Sequence, residues 1–355
     1  MKISPKKFYK NNKVMNDNKI INSKKYEICT ILRKFQKFTI KSPKSQNKNI
    51  DNSFEKDNFF KDIVLNILCL KDKRIGLTTG SNILIFNQHN FKIDMIIPIK
   101  ALHVFQYLKD GNIIVSTIDS KFIILKINKN KYNIHQEFLQ LKFNKPKKII
   151  ELSNNQLISI DVSPYLQFFN KNDNKYSPFK ILDLGYGRVE NAKSILEIPE
   201  NRIVVFTYKY GSLLVYDINT HKLLLQKCVG YGINDIMSDL IDNKYIFVST
   251  GDGMTVFNVE ENFSETLYQN FPSPYEMLKI NMYEYLLFCN KEIYLVKFQD
   301  KKLILKEKAT LDITKNFIFE SPIRKLDENK FITKITKLKE DNTFIEEFLV
   351  IFKQI

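Results

Sequence analysis

The sequence predicts an all-β protein built from seven copies of one unit, each a small antiparallel sheet. Three observations support this prediction. Short apolar runs rich in Ile, Leu, Val, Phe and Tyr recur along the 355-residue chain, with polar turns between them. No long stretch has the 3.6-residue periodicity of an amphipathic helix. Two local signals also repeat together, with a period of about 42 residues.

The first signal is a polar turn that leads into an apolar strand. These turns start at Leu70, Leu108, Leu152, Ile198, Ile241, Asn281 and Leu326. They contain Asp, Asn and Gly, which accept left-handed backbone geometry and hydrogen-bond to their own backbone in tight hairpins. Each turn therefore predicts a β-hairpin.

The second signal is a bulky apolar residue followed by a polar one at the end of a strand. The pairs are Phe86-Asn87, Ile127-Asn128, Phe169-Asn170, Tyr216-Asp217, Phe257-Asn258, Phe298-Gln299 and Phe352-Lys353. Successive pairs lie 41, 42, 47, 41, 41 and 54 residues apart. The pairs keep step with the turns, which predicts units of up to four strands that begin near residues 62, 101, 147, 193, 234, 275 and 320.

Seven four-stranded sheets in succession predict a ring, a seven-bladed β-propeller in which each sheet is one blade. The third strand of the last unit ends near Phe352, and three residues are too few for a fourth strand. A spare strand begins at Tyr26. We expect this N-terminal strand to complete the last blade and close the ring, because the pairing removes two open sheet edges.

The predicted organisation has four parts. Residues 1–24 are a basic disordered tail, 25–40 the closing strand, 41–60 a flexible connector and 61–355 the propeller. The long spacing in the last unit predicts an insertion of about 12 residues. It should form an exposed loop around residues 337–343.

The repeated strand ends resemble those of the WD-repeat propeller family. Tyr216-Asp217 is similar to the Trp-Asp pair that ends the third strand of each blade there, and the Phe-Asn pairs look like its degenerate form. The sequence departs from the family because it has no Trp and no Gly-His dipeptide, so the family's hydrogen-bonded tetrad cannot form in its usual version. The resemblance covers about residues 60–355.

The second strands of the units also resemble the family. They carry small hydroxyl residues, as at Ser116-Thr117, and an acidic residue follows at Asp119, Asp161 and Asp252, where the resemblance implies support of a hairpin turn. The resemblance implies a non-catalytic protein–protein interaction scaffold, a subunit or adaptor that is monomeric within a larger complex. Its partners would be other proteins.

The candidate partner surface consists of the loops before the first strands. Two of these loops carry Gly-Tyr-Gly, at residues 185–187 and 230–232, and propellers usually bind partners on this face. The candidate partner-binding residues are His103, Tyr186, Arg188, Tyr231, Asn234, Tyr275 and Arg324.

Motifs for catalysis are absent from the sequence. Its four histidines and four cysteines have no metal-ligand spacing, and there is no phosphate-binding Gly-Lys loop. We therefore predict no catalytic residue, no metal and no cofactor. His221 is expected to be solvated in a hairpin turn. An enzyme with a site in the central funnel is the alternative, with the three acids of the second strands as candidates.

The basic charge of the chain lies mostly near its N-terminus. Residues 1–60 carry a net charge of +10, whereas the whole chain carries +16. Such a tail attracts RNA or an anionic surface, so an RNA-associated subunit of a ribonucleoprotein complex is a second alternative. No apolar run is long enough for a membrane span. Few cysteines indicate a reducing compartment, which places the protein in the cytoplasm, with the nucleus as the alternative.

Overall fold

The structure, a computed structural model, confirms the all-β propeller. It describes residues 26–32, 64–90, 92–129, 131–140, 146–161, 163–184, 192–207, 211–229, 235–236, 240–251, 253–268, 271, 273–289, 292–310, 317–327, 330–338 and 344–354. Within these ranges, strands β1 to β28 form seven four-stranded antiparallel sheets. We number the blades 1 to 7 in the order of their first strands.

Blades 1 to 4 each contain four strands that are consecutive in the chain. Blade 1 consists of β2 (Val64–Cys69), β3 (Arg74–Thr79), β4 (Ile83–Asn87) and β5 (Ile93–Ile97), and blade 2 of β6 (Ala101–Tyr107), β7 (Ile113–Thr117), β8 (Lys121–Ile127) and β9 (Tyr132–Leu139). Blade 3 consists of β10 (Lys148–Glu151), β11 (Leu157–Ile160), β12 (Tyr165–Asn172) and β13 (Lys175–Asp183), and blade 4 of β14 (Ala192–Ile198), β15 (Arg202–Thr207), β16 (Ser212–Asp217) and β17 (Leu223–Cys228).

Blades 5 and 6 follow the same pattern, and blade 7 includes β1. Blade 5 consists of β18 (Asp235–Ile236), β19 (Tyr245–Thr250), β20 (Gly253–Asn258) and β21 (Ser264–Tyr268), and blade 6 of β22 (Glu276–Lys279), β23 (Glu284–Cys289), β24 (Glu292–Gln299) and β25 (Lys302–Thr310). Blade 7 consists of β26 (Phe317–Lys325), β27 (Lys330–Leu338), β28 (Phe344–Gln354) and β1 (Tyr26–Leu32).

Both repeated sequence signals lie where they were predicted. Each polar turn joins the first strand of a blade to the second, and each pair of apolar and polar residues lies at or near the end of a third strand. The first strands contact one another in sequence around a ring, and β26 of blade 7 contacts β2 of blade 1. The first strands are thus innermost and the fourth strands form the outer rim.

The hydrophobic core is divided among the junctions between blades. Seven clusters of buried apolar residues are each shared by two neighbouring blades, including one between blades 7 and 1. Close packing extends to the backbone at Gly76 in β3. A Cβ atom there would lie 2.7 Å from the ring of Phe105 in blade 2, so only glycine fits.

The N-terminal strand is paired with the last strand of the chain. β1 runs antiparallel to β28, from Tyr26 opposite Gln354 to Leu32 opposite Leu349. Residues 1–25 and 33–63 lie outside the described residues. The predicted boundaries of tail, closing strand and connector therefore stay predictions, as does the requirement for β1 in closing the ring.

The extra length of blade 7 extends its strands. β27 and β28 have 9 and 11 residues, and their pairing continues to Leu338 opposite Phe344. The predicted exposed loop began at Lys337, which lies in β27. The rest of that loop, residues 339–343, lies outside the described part of the chain.

Candidate functional site

The propeller presents two faces and a rim. One face carries the turns between first and second strands and those between third and fourth strands, and we call it the hairpin face. The opposite face carries the connections between blades and the turns between second and third strands, and we call it the loop face. The alternating strand directions of each antiparallel blade separate the two sets of turns.

The sequence predicts the partner-binding residues in the loops that precede the first strands, which would put them on the loop face. Tyr186, Arg188, Tyr231 and Asn234 lie outside the described residues, so their proposed role is untested. His103 lies in β6, Tyr275 directly precedes β22, and Arg324 lies in β26. The structure therefore places the described three on or beside the innermost strands, and their partner binding stays a prediction.

Arg324 links blade 7 to both of its neighbours. Its Nε donates a hydrogen bond to the carbonyl oxygen of Ile67 in blade 1, at 3.1 Å. Its Nη1 forms an ion pair with Glu276 of blade 6, at 3.2 Å. The Glu276 side chain is only 11% exposed and also accepts a hydrogen bond from the backbone N–H of Ile323 at 2.7 Å. These contacts stabilise the ring where blades 7 and 1 meet.

Similar polar contacts join the inner strands of blades 1 to 4. Asn66 donates its side-chain amide to the carbonyl oxygen of His103. Gln106 donates to the carbonyl oxygen of Ile149 at 2.9 Å. In the next junction Lys148 Nζ donates to Ser194 Oγ at 2.7 Å. Sequence reasoning missed these residues because each is a single polar residue in an apolar strand, with a partner roughly one repeat away.

Tyr275 contributes to the core between blades 6 and 7. Its ring packs against the apolar cluster that includes Phe288 and Phe331. Its hydroxyl is buried and has no hydrogen-bond partner among the described residues. Burial raises the pKa of this phenol well above its usual value, so it stays neutral.

On the hairpin face, a second series of hydrogen bonds joins blades 1 to 4. The residue that precedes the apolar start of each turn reaches the turn of the preceding blade. Tyr107 Oη accepts from the backbone N–H of Lys71 at 3.0 Å, and Glu151 accepts from that of Lys109 at 2.6 Å. Glu197 accepts from the backbone N–H of Ser153 at 2.9 Å. We call these contacts the turn links.

The series of turn links is interrupted after blade 4. The turn of blade 4 has Pro199 at the donor position, and proline has no N–H to donate. The acceptor position of blade 5 is Leu240, which has no polar side-chain atom. Both halves of the turn link are thus missing between blades 4 and 5. Among the described residues, no hydrogen bond joins the corresponding Asp242 of blade 5 and Lys279 of blade 6.

A cavity of about 570 Å³ opens on the hairpin face between blades 5 and 6. It is lined by Asp242, Lys244, Tyr245, Tyr283, Lys297, Phe298, Gln299, Asp300 and Lys301. The rings of Tyr245 and Phe298 pack edge to face, with centroids 4.9 Å apart. Next to the cavity, the turn of blade 6 exposes Met282 by 59% and Tyr283 by 43%.

Charges of both signs border this cavity. Lys244 pairs with Glu260 at 2.9 Å, and Lys301 pairs with Glu261 at 2.8 Å. Hydrogen bonding to Glu261 raises the pKa of Lys301, so this lysine stays charged. Lys297 forms no ion pair with another described residue. The cavity thus combines the aromatic rings of Tyr245 and Phe298 with charged groups at its border. This combination suits a side chain that is apolar in the middle and polar at its end.

Two of the acids that follow the second strands accept hydrogen bonds from their own turns. Asp119 accepts a hydrogen bond from Thr117 Oγ1 at 2.5 Å, and Asp161 accepts one from the backbone N–H of Ser163 at 2.6 Å. Both acids thus support their own turns, as the family resemblance implies, whereas Asp252 lies outside the described residues. Within the described part of the chain, no three His, Cys, Asp or Glu side chains come together to hold a metal. No helix in that part could cross a membrane.

His221 is a correction to the sequence prediction of a solvated turn residue. Its ring packs edge-on against Phe168, with centroids 4.9 Å apart, and lies 6.3 Å from the ring of Phe179. Its Nε2 is buried without a hydrogen-bond partner among the described residues. Burial and the nearby charge of Lys180 lower its pKa, against the opposing effect of Asp217. The burial of His221 could not be predicted from its own turn, because the rings that cover it, Phe168 and Phe179, belong to blade 3.

Comparison with known proteins finds similarity in structure only. No family model matches the sequence, and no curated protein matches it. The WD40 domain of Neurospora crassa Pan2 is 10% identical, with a TM-score of 0.58 over 82% of this chain and 89% of that one. Kuenenia stuttgartiensis hydrazine synthase is 10% identical, with a TM-score of 0.52 over 70% of this chain and 80% of that one. The C-terminal WD40 domain of Sif2 is 12% identical, with a TM-score of 0.45 over 84% of this chain and 71% of that one.

At these identities the similarity concerns the fold alone. One of the similar structures is named for an enzyme, so the fold does not decide between a scaffold and a catalyst. The seven four-stranded sheets, their ring order and the likeness to the Pan2 domain agree with the family resemblance of the strand ends. The chain thus has the fold of a WD40-type seven-bladed β-propeller.

Proposed function

We propose that the chain is a protein–protein interaction scaffold that binds a partner at the hairpin face, in the cavity between blades 5 and 6. The observation that carries the proposal is the pair of exposed apolar residues, Met282 and Tyr283, beside an open cavity of about 570 Å³. Membership of a larger complex, as subunit or adaptor, belongs to the same proposal.

The chemistry of this surface suits a protein partner. Tyr and Met are enriched in protein interfaces, where aromatic anchors contribute much of the binding energy. The rings of Tyr245 and Phe298 in the cavity wall already pack against each other, so these two side chains need little ordering on association. Ion pairs at the border, such as Lys301 with Glu261, can exchange partners with groups on a bound protein.

The proposal is tested by affinity purification with mass spectrometry. The double variant M282S/Y283S should lose a partner that the wild-type protein retains. Ile304→Ser is the matched control, because Ile304 is also an exposed apolar residue of blade 6 but does not line the cavity. Equal loss in both variants, or loss in neither, would contradict the hairpin-face site.

A loop-face site is the competing proposal. Its variants are Tyr186→Ala and Arg188→Glu, with Tyr231→Ala in the neighbouring loop. A partner that is lost only from these variants places the contact on the loop face and leaves the scaffold function intact.

The net charge of +10 in residues 1–60 supports a second candidate function, association with RNA. Deletion of residues 1–24 should then abolish RNA binding that weakens steeply as salt concentration rises. Retention of the same salt-dependent binding by the shortened chain would dismiss this candidate. The measurement is a filter-binding titration at several salt concentrations.

A further inference from the structure

The outer strands of six blades share one irregularity. In blades 1, 2, 3, 4, 6 and 7 the pairing of third and fourth strands skips one residue of the fourth strand, which forms a β-bulge. The skipped residues are Asp94, His135, Phe179, Leu224, Lys306 and Cys29. In the five blades other than blade 7, the skipped residue is exposed at the rim.

The chemistry of the bulge residue changes at blades 3 and 4. It is charged or polar in blades 1, 2 and 6, as expected for a side chain that faces water. In blades 3 and 4 it is Phe179, 53% exposed, and Leu224, 55% exposed. Nothing in the ladder requires an apolar residue there, since three other blades form the same bulge with polar ones.

The two apolar bulges belong to one surface. Phe179 of blade 3 contacts the ring of His221 in blade 4, and the exposed Leu223 and Leu224 follow His221 directly after Lys222. Leu223 pairs with Tyr216, whose side chain belongs to the core between blades 3 and 4, so it faces blade 3. We call Phe179, His221, Leu223 and Leu224 the rim patch.

The charge beside the rim patch is positive. Lys180 follows Phe179, and its charge reaches His221. Lys222 precedes Leu223 and is exposed. Neither lysine forms an ion pair with another described residue. The neighbouring Asp217 carboxylate instead accepts hydrogen bonds from the backbone N–H and the hydroxyl of Thr220, at 2.6 and 2.8 Å.

These observations select the chemistry of the occupant. A bulge interrupts the row of backbone groups at a sheet edge, which disfavours the addition of a partner strand. Side-chain contacts would therefore dominate, with apolar anchors over Phe179 and Leu224 and carboxylates near Lys180 and Lys222. We propose that the rim patch binds an amphipathic segment of another protein whose apolar side chains are flanked by Asp or Glu. This surface is separate from the cavity between blades 5 and 6.

The test is selection of a random linear peptide library on the immobilised full-length protein. Enriched peptides should combine Leu or aromatic residues with Asp or Glu. Their affinity, measured by fluorescence polarisation, should fall about tenfold or more in the F179S/L224S variant. The matched control is I134S/L139S, which removes two exposed apolar residues from the outer strand of blade 2 and should leave the affinity unchanged.

A charge-reversal pair separates the two parts of the proposal. K180E/K222E should weaken the same peptides, whereas K126E/K131E, at exposed lysines of blade 2, should not. These variants change surface charges only, so they remain informative if F179S/L224S has a lower unfolding midpoint.

Four outcomes would overturn the proposal. The enriched peptides could bind F179S/L224S as tightly as the wild type, or they could lack acidic residues. Vesicles of phosphatidylserine and phosphatidylcholine could bind the wild type but not F179S/L224S, which would assign a lipid surface. A self-associated form of the wild type that F179S/L224S abolishes in size-exclusion chromatography would assign a second copy of the chain.

Discussion

All the blades share one backbone fold, but their junctions differ on the hairpin face. The junctions among blades 1 to 4 have turn links, and no turn link is seen at the described residues on either side of blade 5. Between blades 1 and 4, each turn donates a backbone N–H to a polar side chain of the next blade, as Ser153 does to Glu197. Between blades 4 and 5, Pro199 and Leu240 replace the donor and the acceptor. The open cavity lies at the next junction along the ring, between blades 5 and 6.

Apolar packing therefore specifies this ring, and polar contacts adjust the stability of individual junctions. Every junction has a buried apolar cluster, whether or not a turn link accompanies it. A hydrogen bond contributes about 1 kcal/mol, much less than the burial of several large side chains. The junctions without turn links are therefore stable, yet they leave backbone and side chains of the hairpin face available to a partner.

The largest effect is expected from removing β1, the outer strand of blade 7, which pairs with β28. Deletion of residues 1–40 removes β1, exposes an unpaired edge, and should cause aggregation or loss of cooperative unfolding. Deletion of residues 1–20 should leave the unfolding midpoint unchanged. Circular dichroism melting and size-exclusion chromatography measure both. Identical behaviour of the two shortened chains would contradict a closing role for β1.

The second largest effect is expected at Arg324. Arg324→Met removes the contact between blades 7 and 1 and leaves Glu276 mostly buried without its ion-pair partner. The free energy of unfolding should fall by about 2–4 kcal/mol, measured by urea denaturation. The control Arg202→Met breaks an ion pair with the exposed Glu200 and should cost about 0–1 kcal/mol. Equal losses would show that the junction does not depend on Arg324.

Glu197→Ala opens a turn link. Ser153 loses the acceptor for its N–H and its hydroxyl, so the unfolding free energy should fall by about 1 kcal/mol in urea denaturation. Glu197→Gln retains one acceptor oxygen and should restore part of the loss. No difference between Ala and Gln would indicate that the turn link contributes nothing.

The junction between blades 3 and 4 should also respond to pH. The folded protein holds the pKa of His221 below its usual 6.5, so the unfolded chain binds the proton more readily. Stability is then intact above pH 6.5 and falls as the pH drops below that value, by at most about 1.4 kcal/mol per pH unit. Unfolding in urea between neutral and mildly acidic pH measures the effect.

His221→Asn isolates this contribution. Asn tolerates the positive φ of 58° at this position and does not titrate, while the other histidines are retained in both proteins. The difference in stability between wild type and variant should change with pH in the window below 6.5. A difference that stays constant with pH would contradict the assignment.

The smallest effect should come from building the missing turn link. Pro199→Ser supplies the donor and Leu240→Glu the acceptor, in the positions that Ser153 and Glu197 occupy one junction earlier. A double-mutant cycle should give a favourable coupling of about 0.5–1 kcal/mol. Zero coupling would mean that the geometry of this junction differs from its neighbours in more than two side chains.

The local signals of the sequence predict the blades well, because turns and strand ends depend on residues close together in the chain. The turn at Leu70 and the strand end at Phe86-Asn87 lie where the pattern placed them. The role of Arg324 could not be predicted in this way, because its acceptor Ile67 lies 257 residues away in the chain.

The candidate sites were harder to predict than the fold. The strand continues before and after a bulge, so the sequence around Phe179 has the pattern of an ordinary strand. The cavity lies at a junction where no hydrogen bond joins the described Asp242 and Lys279, and an absent hydrogen bond has no sequence motif. Tyr283 lies in a turn of the hairpin face, whereas the family resemblance predicts binding on the opposite face.

The missing turn link between blades 4 and 5 predicts where local unfolding of the ring begins. Amide hydrogen exchange proceeds through the least costly local unfolding, which is drawn from regions with few cross-links. Blade 5 lies next to the junction where Pro199 and Leu240 leave no turn link. Its amides should therefore exchange earlier than those of blades 2 and 3, which have turn links on both sides. Local unfolding of the propeller would then begin at blade 5 rather than occur equally in all blades.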